Sequence, residues 1–155
     1  MTRRISGLPD IVGSLAFTKD GRTLAVGSMG RAGAPHLRLL DVDSRKVTYE
    51  AAPAMGEVYS LAWAETADSR YLAVCGNLGI GLWKAPLSDP TNMEQVYEVQ
   101  RPFCLATVID PQARFMVWVE NERELKAWDI PTSRELPLHA PEMQQGWHGL
   151  TLLPD

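Results

Sequence analysis

Cysteine is scarce. The 155 residues contain two, Cys75 and Cys104, and neither has a partner at CxxC spacing. A disulfide-stapled or zinc-ribbon domain is excluded on that count, and both read as small buried hydrophobes inside apolar runs. The three histidines, His36, His139 and His148, form no HxH or HExxH pattern, so neither a metal nor any other cofactor is expected. No apolar run approaches the ~20 residues that cross a bilayer. The opening Met1–Ser6 carries charge with no apolar core behind it, so neither signal peptide nor membrane partner is read and the expected compartment is cytoplasmic. Positive charge is thin as well: 15 basic against 19 acidic side chains, with one dense basic spot at Arg3-Arg4. A primary nucleic-acid binder needs a clustered basic face, so that class is set aside. Nowhere does a 3.6-residue apolar stripe persist long enough for a helix.

What is present is order at a fixed period. Ser14-Leu15-Ala16-Phe17, Ser60-Leu61-Ala62-Trp63, Cys104-Leu105-Ala106-Thr107 and Gly149-Leu150-Thr151-Leu152 open four similar segments. Turn residues follow the first three at Asp20-Gly21-Arg22, Asp68-Ser69-Arg70 and Gln112-Ala113-Arg114. Apolar runs come next, at Leu24-Ala25-Val26, Leu72-Ala73-Val74 and Met116-Val117-Trp118. A repeat of about 45 residues indicates a stacked or radial array. Each unit reads as four short strands, bounded by turn residues. They are expected near 13–18, 23–28, 36–42 and 46–50; 58–64, 70–76, 79–84 and 94–99; and 103–109, 114–120, 124–130 and 134–138. Pro53, Pro102 and Pro141 fall between units, where proline interrupts no sheet.

This grammar resembles the WD40 family of β-propellers. The unit length fits, and the third strand of unit three ends in Trp128-Asp129, where unit one has Leu40-Asp41 and unit two Trp83-Lys84. The pattern is degenerate. No Gly-His pair precedes the first strands (Gly146-Trp147-His148 is the nearest approach), and the turns at Asn77-Leu78-Gly79 and Asn121-Glu122-Arg123 lack the expected aspartate. Stability is therefore assigned to packing, with Trp63, Trp83, Trp118 and Trp128 between blades. The resemblance implies an all-β, incomplete WD40-like propeller spanning 1–155. Its units fall at about 12–57, 58–102 and 103–146, and a fourth starts at 147–155. That inventory is three four-stranded blades plus one extra inner strand. Propellers have four to eight blades, so three do not close a ring. The open ends are expected to be met by more of the same chain, by blades from another chain or from copies of this one, or by packing on a larger assembly.

The search for chemistry yields little. A Ser14, His148 and Asp41 set has no GxSxG elbow behind it. The glycine-rich Gly27–Ala34 stretch lacks the Gly-Lys-Ser/Thr ending and the following helix of a phosphate cradle. No catalytic residue is assigned, and the protein is not read as an enzyme. Propeller geometry gathers the fourth-to-first and second-to-third connections on one face. Here that face carries Met29, Arg31, His36, Met55, Arg101 and Trp147, rich in types enriched at interface cores. The resemblance thus implies a non-catalytic protein–protein interaction, scaffold or sensor module, a portion or subunit of a larger assembly. The alternative is a small-molecule or catalytic site on the central axis, for which Ser14, Ser60, Thr107 and Thr151 are the available polar groups.

Overall fold

The computed structural model describes residues 11–30, 33–101, 103–138 and 150–151. Among the described residues, twelve strands in three four-stranded antiparallel sheets make up the regular structure. Blade 1 is β1 (Ile11–Phe17), β2 (Thr23–Met29), β3 (Leu37–Asp41) and β4 (Val47–Ala51). Blade 2 is β5 (Val58–Glu65), β6 (Ser69–Gly76), β7 (Gly79–Pro86) and β8 (Glu94–Gln100), and blade 3 is β9 (Cys104–Ile109), β10 (Phe115–Glu120), β11 (Glu124–Asp129) and β12 (Arg134–Leu136). Strand order in every sheet follows the chain, an up-and-down meander. All twelve lie within two residues of the positions read from the repeat. Among the described residues no helix exists that is long and apolar enough to cross a membrane. Of the expected fourth unit only Leu150 and Thr151 are described.

The turns explain why the strands stop where they do. Gly21 takes a positive φ of 69° in the β1–β2 turn, while the Asp20 carboxylate accepts from the Thr18 hydroxyl and the Arg22 N–H. The β5–β6 turn repeats the device with Thr66 and Asp68. At the β9–β10 turn, Asp110 instead accepts from Arg114 through both its side chain and its backbone N–H. Asp41 and Asp129 close the β3–β4 and β11–β12 turns by accepting from the Ser44 and Thr132 backbone N–H groups. The Trp-Asp dipeptide thus serves a local turn here. Each inner strand also slips register once, at Val12/Ser14, Val58/Ser60 and opposite Val119/Glu120. Such bulges sharpen the right-handed twist that wedge-shaped sheets need.

Packing is between sheets. One core joins blades 1 and 2 through Ala25, Leu37 and Leu39 on one side and Leu61, Leu72, Val74 and Trp83 on the other. A second joins blades 2 and 3 through Ala73, Ile80 and Leu82 against Met116 and Trp118. Trp83 and Trp118 are almost wholly buried, while Trp63 and Trp128 are half-buried. Each large ring buries ~150–250 Å². Polar stitches cross the same seams. The Trp63 indole N–H donates to Ala16 O at 3.0 Å, and the Ser60 hydroxyl both accepts from Thr107 N and donates to Thr107 O. A small third cluster, Leu24, Val26 and Leu40, lies on the side of blade 1 turned away from blade 2.

Candidate functional site: the loop face

Connections β2–β3, β4–β5, β6–β7, β8–β9 and β10–β11 open on one face, and backbone hydrogen bonds lace them across blade boundaries. Leu78 N donates to Met55 O and Asn77 N to Glu57 O, while the Asn77 side-chain oxygen accepts from Glu57 N. Arg101 N then donates to Leu78 O, Phe103 N to Asn77 O, and Asn121 N to Phe103 O. Each fourth-to-first connection is thereby clamped by the second-to-third turn of its neighbour. Gly56, at φ 71°, is required there, since a Cβ would run into the Asn77 side chain.

The predicted face residues differ in what they offer. Met29 is half-buried and packs beside Gly13. His36 is 4% exposed, its Nδ1 has no hydrogen-bond partner, and its carbonyl accepts from Ser28 N. Met55 is 1% exposed, packed in the blade 1–blade 2 core, where its methyl end lies against Gly81. Neither His36 nor Met55 presents a side chain to a partner; both support the face from beneath. Arg101 is partly exposed and lies 3.6 Å from Glu135 and 4.0 Å from Glu120, tying the blade 2 exit to blade 3. Arg31 and Trp147 lie outside the described residues, as do His139 and His148.

Two residues that the sequence reading passed over are displayed on this face. Leu78 is 54% and Phe103 57% exposed, and their backbones are linked through Asn77 and Arg101. Phe103 adopts φ 48°, with Asn121 and Glu122 beside it at φ 50° and 61°. A bulky residue in the left-handed region costs of order 1–3 kcal/mol and persists only where its surroundings enforce it. Here the enforcing contacts are the hydrogen bonds on either side of Phe103. The available signal was an apolar residue within a polar turn at both positions.

The inner-strand hydroxyls facing the seam are already engaged. Ser60 and Thr107 are spent on the interblade seam, with Thr107 Oγ1 donating to Val117 O. No three His, Cys, Asp or Glu side chains converge on a metal-sized site among the described residues. Cys75 and Cys104 are both buried and free, and they meet at the blade 2–blade 3 boundary, a contact their spacing did not announce. Burial, with the neighbouring Cys104 adding to it, pushes the Cys75 thiol far above its ordinary value. A groove of about 340 Å³ on the opposite face, lined by Phe17, Lys19, Trp63, Glu65, Pro111 and Gln112, gathers no catalytic constellation.

Comparison with known proteins fixes the fold. No protein-family model matches the chain, and no curated protein matches it in sequence. Solved structures do. The β-propeller domain of Myceliophteria thermophila Cps50 (Swd1) is 17% identical with a TM-score of 0.67, over 88% of this chain and 43% of that one. The WD40 repeats of RRP9 are 15% identical with a TM-score of 0.70, over 87% and 40%. The computationally designed Ika4 protein is 15% identical with a TM-score of 0.74, over 99% and 89%. The chain therefore has the fold of a WD40 β-propeller, and it spans less than half the length of the Cps50 and RRP9 chains it matches.

Proposed function

We propose that the chain is a non-catalytic protein-interaction module that engages its partner through the loop face. The proposed contact residues are Arg31, Arg101 and Trp147, together with Leu78 and Phe103 on account of their exposure, with Met29 at the margin and His36 and Met55 holding the surface in shape. The observation that carries this reading is the presentation of Leu78 and Phe103, each more than half exposed on backbone clamped across two blades. Pre-ordered apolar side chains cost little entropy on binding, and aromatic and arginine residues furnish most interface hot spots. The likeness to WD40 domains supports an interaction scaffold as the kind of role. Fold alone does not assign one.

Affinity capture from extract of the source cells, read by quantitative mass spectrometry, tests the assignment. A Phe103→Ala/Arg101→Ala variant and an Arg31→Ala/Trp147→Ala variant should each lose, by about tenfold or more, proteins that the wild type retains. A Ser88→Ala/Asp89→Ala variant on the opposite face should keep them. Equal loss from both faces, or no loss from the loop-face variants, would reject this surface.

A further inference from the structure

The seam between blades 2 and 3 opens at its outer end, where β8 runs for seven residues and β12 for three. A cleft of about 170 Å³ lies there. Cross-strand partners share a side of the sheet, and Leu82 belongs to the core that faces blade 3. The pairings Leu82↔Tyr97 and Tyr71↔Lys84 therefore turn Tyr97, Tyr71 and Lys84 toward blade 3. Blade 3 contributes Trp128 from β11 and Ser133 from the turn before β12. Tyr97 and Trp128 meet ring to ring across the seam, with centroids 4.0 Å apart and planes inclined by 31°.

This cleft holds a surplus of donors. Among the described residues, the Tyr71, Tyr97 and Ser133 hydroxyls, the Trp128 indole N–H and the Lys84 ammonium make no hydrogen bond or ion pair. Comparable groups nearby are spent, the Trp63 indole on Ala16 O and the Thr132 hydroxyl on Asp129. Burial raises the Tyr97 phenol above its ordinary value, so it stays protonated and able to donate. Among the described residues no carboxylate lines the cleft, and Asp129, next to Trp128, is turned to Thr132. Asp68 and Glu94 line an adjoining recess with Lys84, and neither forms an ion pair with it among the described residues.

We infer that this cleft receives the side chain of a glutamate carried by a partner polypeptide. A carboxylate accepts several hydrogen bonds and donates none, which matches a wall of donors bearing one positive charge. A phosphoryl group carries nearly twice that charge and calls for arginines, and among the described residues none lines the cleft. Leu82 and Ile130, with the ring faces of Tyr97 and Trp128, take the methylene stem. The space suits one side chain and falls below the ~300–1,000 Å³ of pockets for free ligands. The carboxylate is therefore one delivered on a chain that also binds beyond the cleft. This rim site is independent of the loop-face assignment.

Titration of the ¹⁵N-labelled protein with the end-capped peptides Ala-Glu-Ala and Ala-Gln-Ala tests it, followed at the Trp128 indole N–H resonance, which Trp128→Phe identifies. The glutamate peptide should shift that resonance saturably with a roughly millimolar Kd, about tenfold tighter than the glutamine peptide. Lys84→Gln should weaken the glutamate peptide about tenfold, and Tyr97→Phe about threefold, each by removing a donor. Lys84→Arg, and Lys46→Gln on the exposed β3–β4 turn, should leave its affinity within about twofold. Circular dichroism checks folding, and Ser133→Ala, on an exposed turn, replaces any variant that unfolds. No saturable shift, an equal response to the two peptides, or an affinity indifferent to Lys84→Gln would overturn the inference. Tighter binding of a phosphoserine peptide, or of Ala-Gln-Ala with a free C-terminus, would overturn it equally by naming a different anion.

Discussion

Trp118 offers a sharp test of how the interblade cores hold together. Its indole is wholly buried, yet its N–H has no hydrogen-bond partner. Trp63, at the neighbouring seam, is half-buried and donates to Ala16 O. Replacing each with phenylalanine removes the same atoms with opposite consequences. At Trp118 the lost volume leaves a void of about 40 Å³, worth about 1 kcal/mol at ~24 cal/mol per Å³. Against that, an unsatisfied buried donor disappears, which returns about 1–3 kcal/mol. Trp118→Phe should therefore fall between neutral and stabilising by about 2 kcal/mol. Trp63→Phe loses a made hydrogen bond and leaves Ala16 O exposed to partial solvation, so it should destabilise by about 1–2 kcal/mol. Trp118→Ala provides the scale, at about 3–5 kcal/mol. Urea unfolding at one fixed protein concentration reads all three as midpoint shifts with unchanged slope. A loss of more than about 2 kcal/mol on Trp118→Phe would refute the reasoning, because it would mean that the indole N–H is satisfied in the native protein.

The turn carboxylates make stability sensitive to acid. Hydrogen bonds from the Arg22 backbone and the Thr18 hydroxyl hold Asp20 below the usual carboxylate value, the Arg114 side chain does so for Asp110, and the Thr66, Ser44, Thr91 and Thr132 hydroxyls do so for Asp68, Asp41, Asp89 and Asp129. Their folded values lie below the unfolded one of about 3.9, so the unfolded chain takes up protons first and the stabilisation present above that value drains away as pH falls through it. Urea midpoints should be flat from about pH 7 to about pH 5 and then decline, with a shallower decline in Asp110→Asn; a midpoint unchanged down to about pH 3 would contradict this. Cys75 and Cys104, buried with the Cys75 thiol pushed up, should resist alkylation at about pH 8 until the chain unfolds. Mass spectrometry showing native-state labelling at the rate of a free thiol would contradict that burial.

Strand positions and the blade count were legible because both are written locally. A period of two, a glycine at Gly21 and prolines between units each constrain the backbone over a few residues. The loop face was legible only as a location. Met55 looks exposed in sequence, in a Pro-Ala-Met-Gly turn, yet it folds under into the core because Gly81, in the middle of β7, leaves room for it. A glycine inside a strand was the one available hint of that close approach. Phe103 could not be read as a displayed side chain, since its conformation is imposed by hydrogen bonds to Asn77 and Asn121, which lie 26 residues before it and 18 after. The meeting of Cys75 with Cys104 depends on how one sheet lies on the next, which spacing along the chain does not encode.

The lacing of the loop face has a bearing on how such a surface diversifies. Nearly all of its clamps run through main-chain N–H and C=O groups, which every non-proline residue provides. Substitution at Leu78, Arg101 or Phe103 therefore changes the chemistry this surface displays while the main-chain clamps stay put. Asn77 is the exception, for its side chain belongs to the clamp itself. The displayed side chains can drift across this face, with that one asparagine as the fixed point.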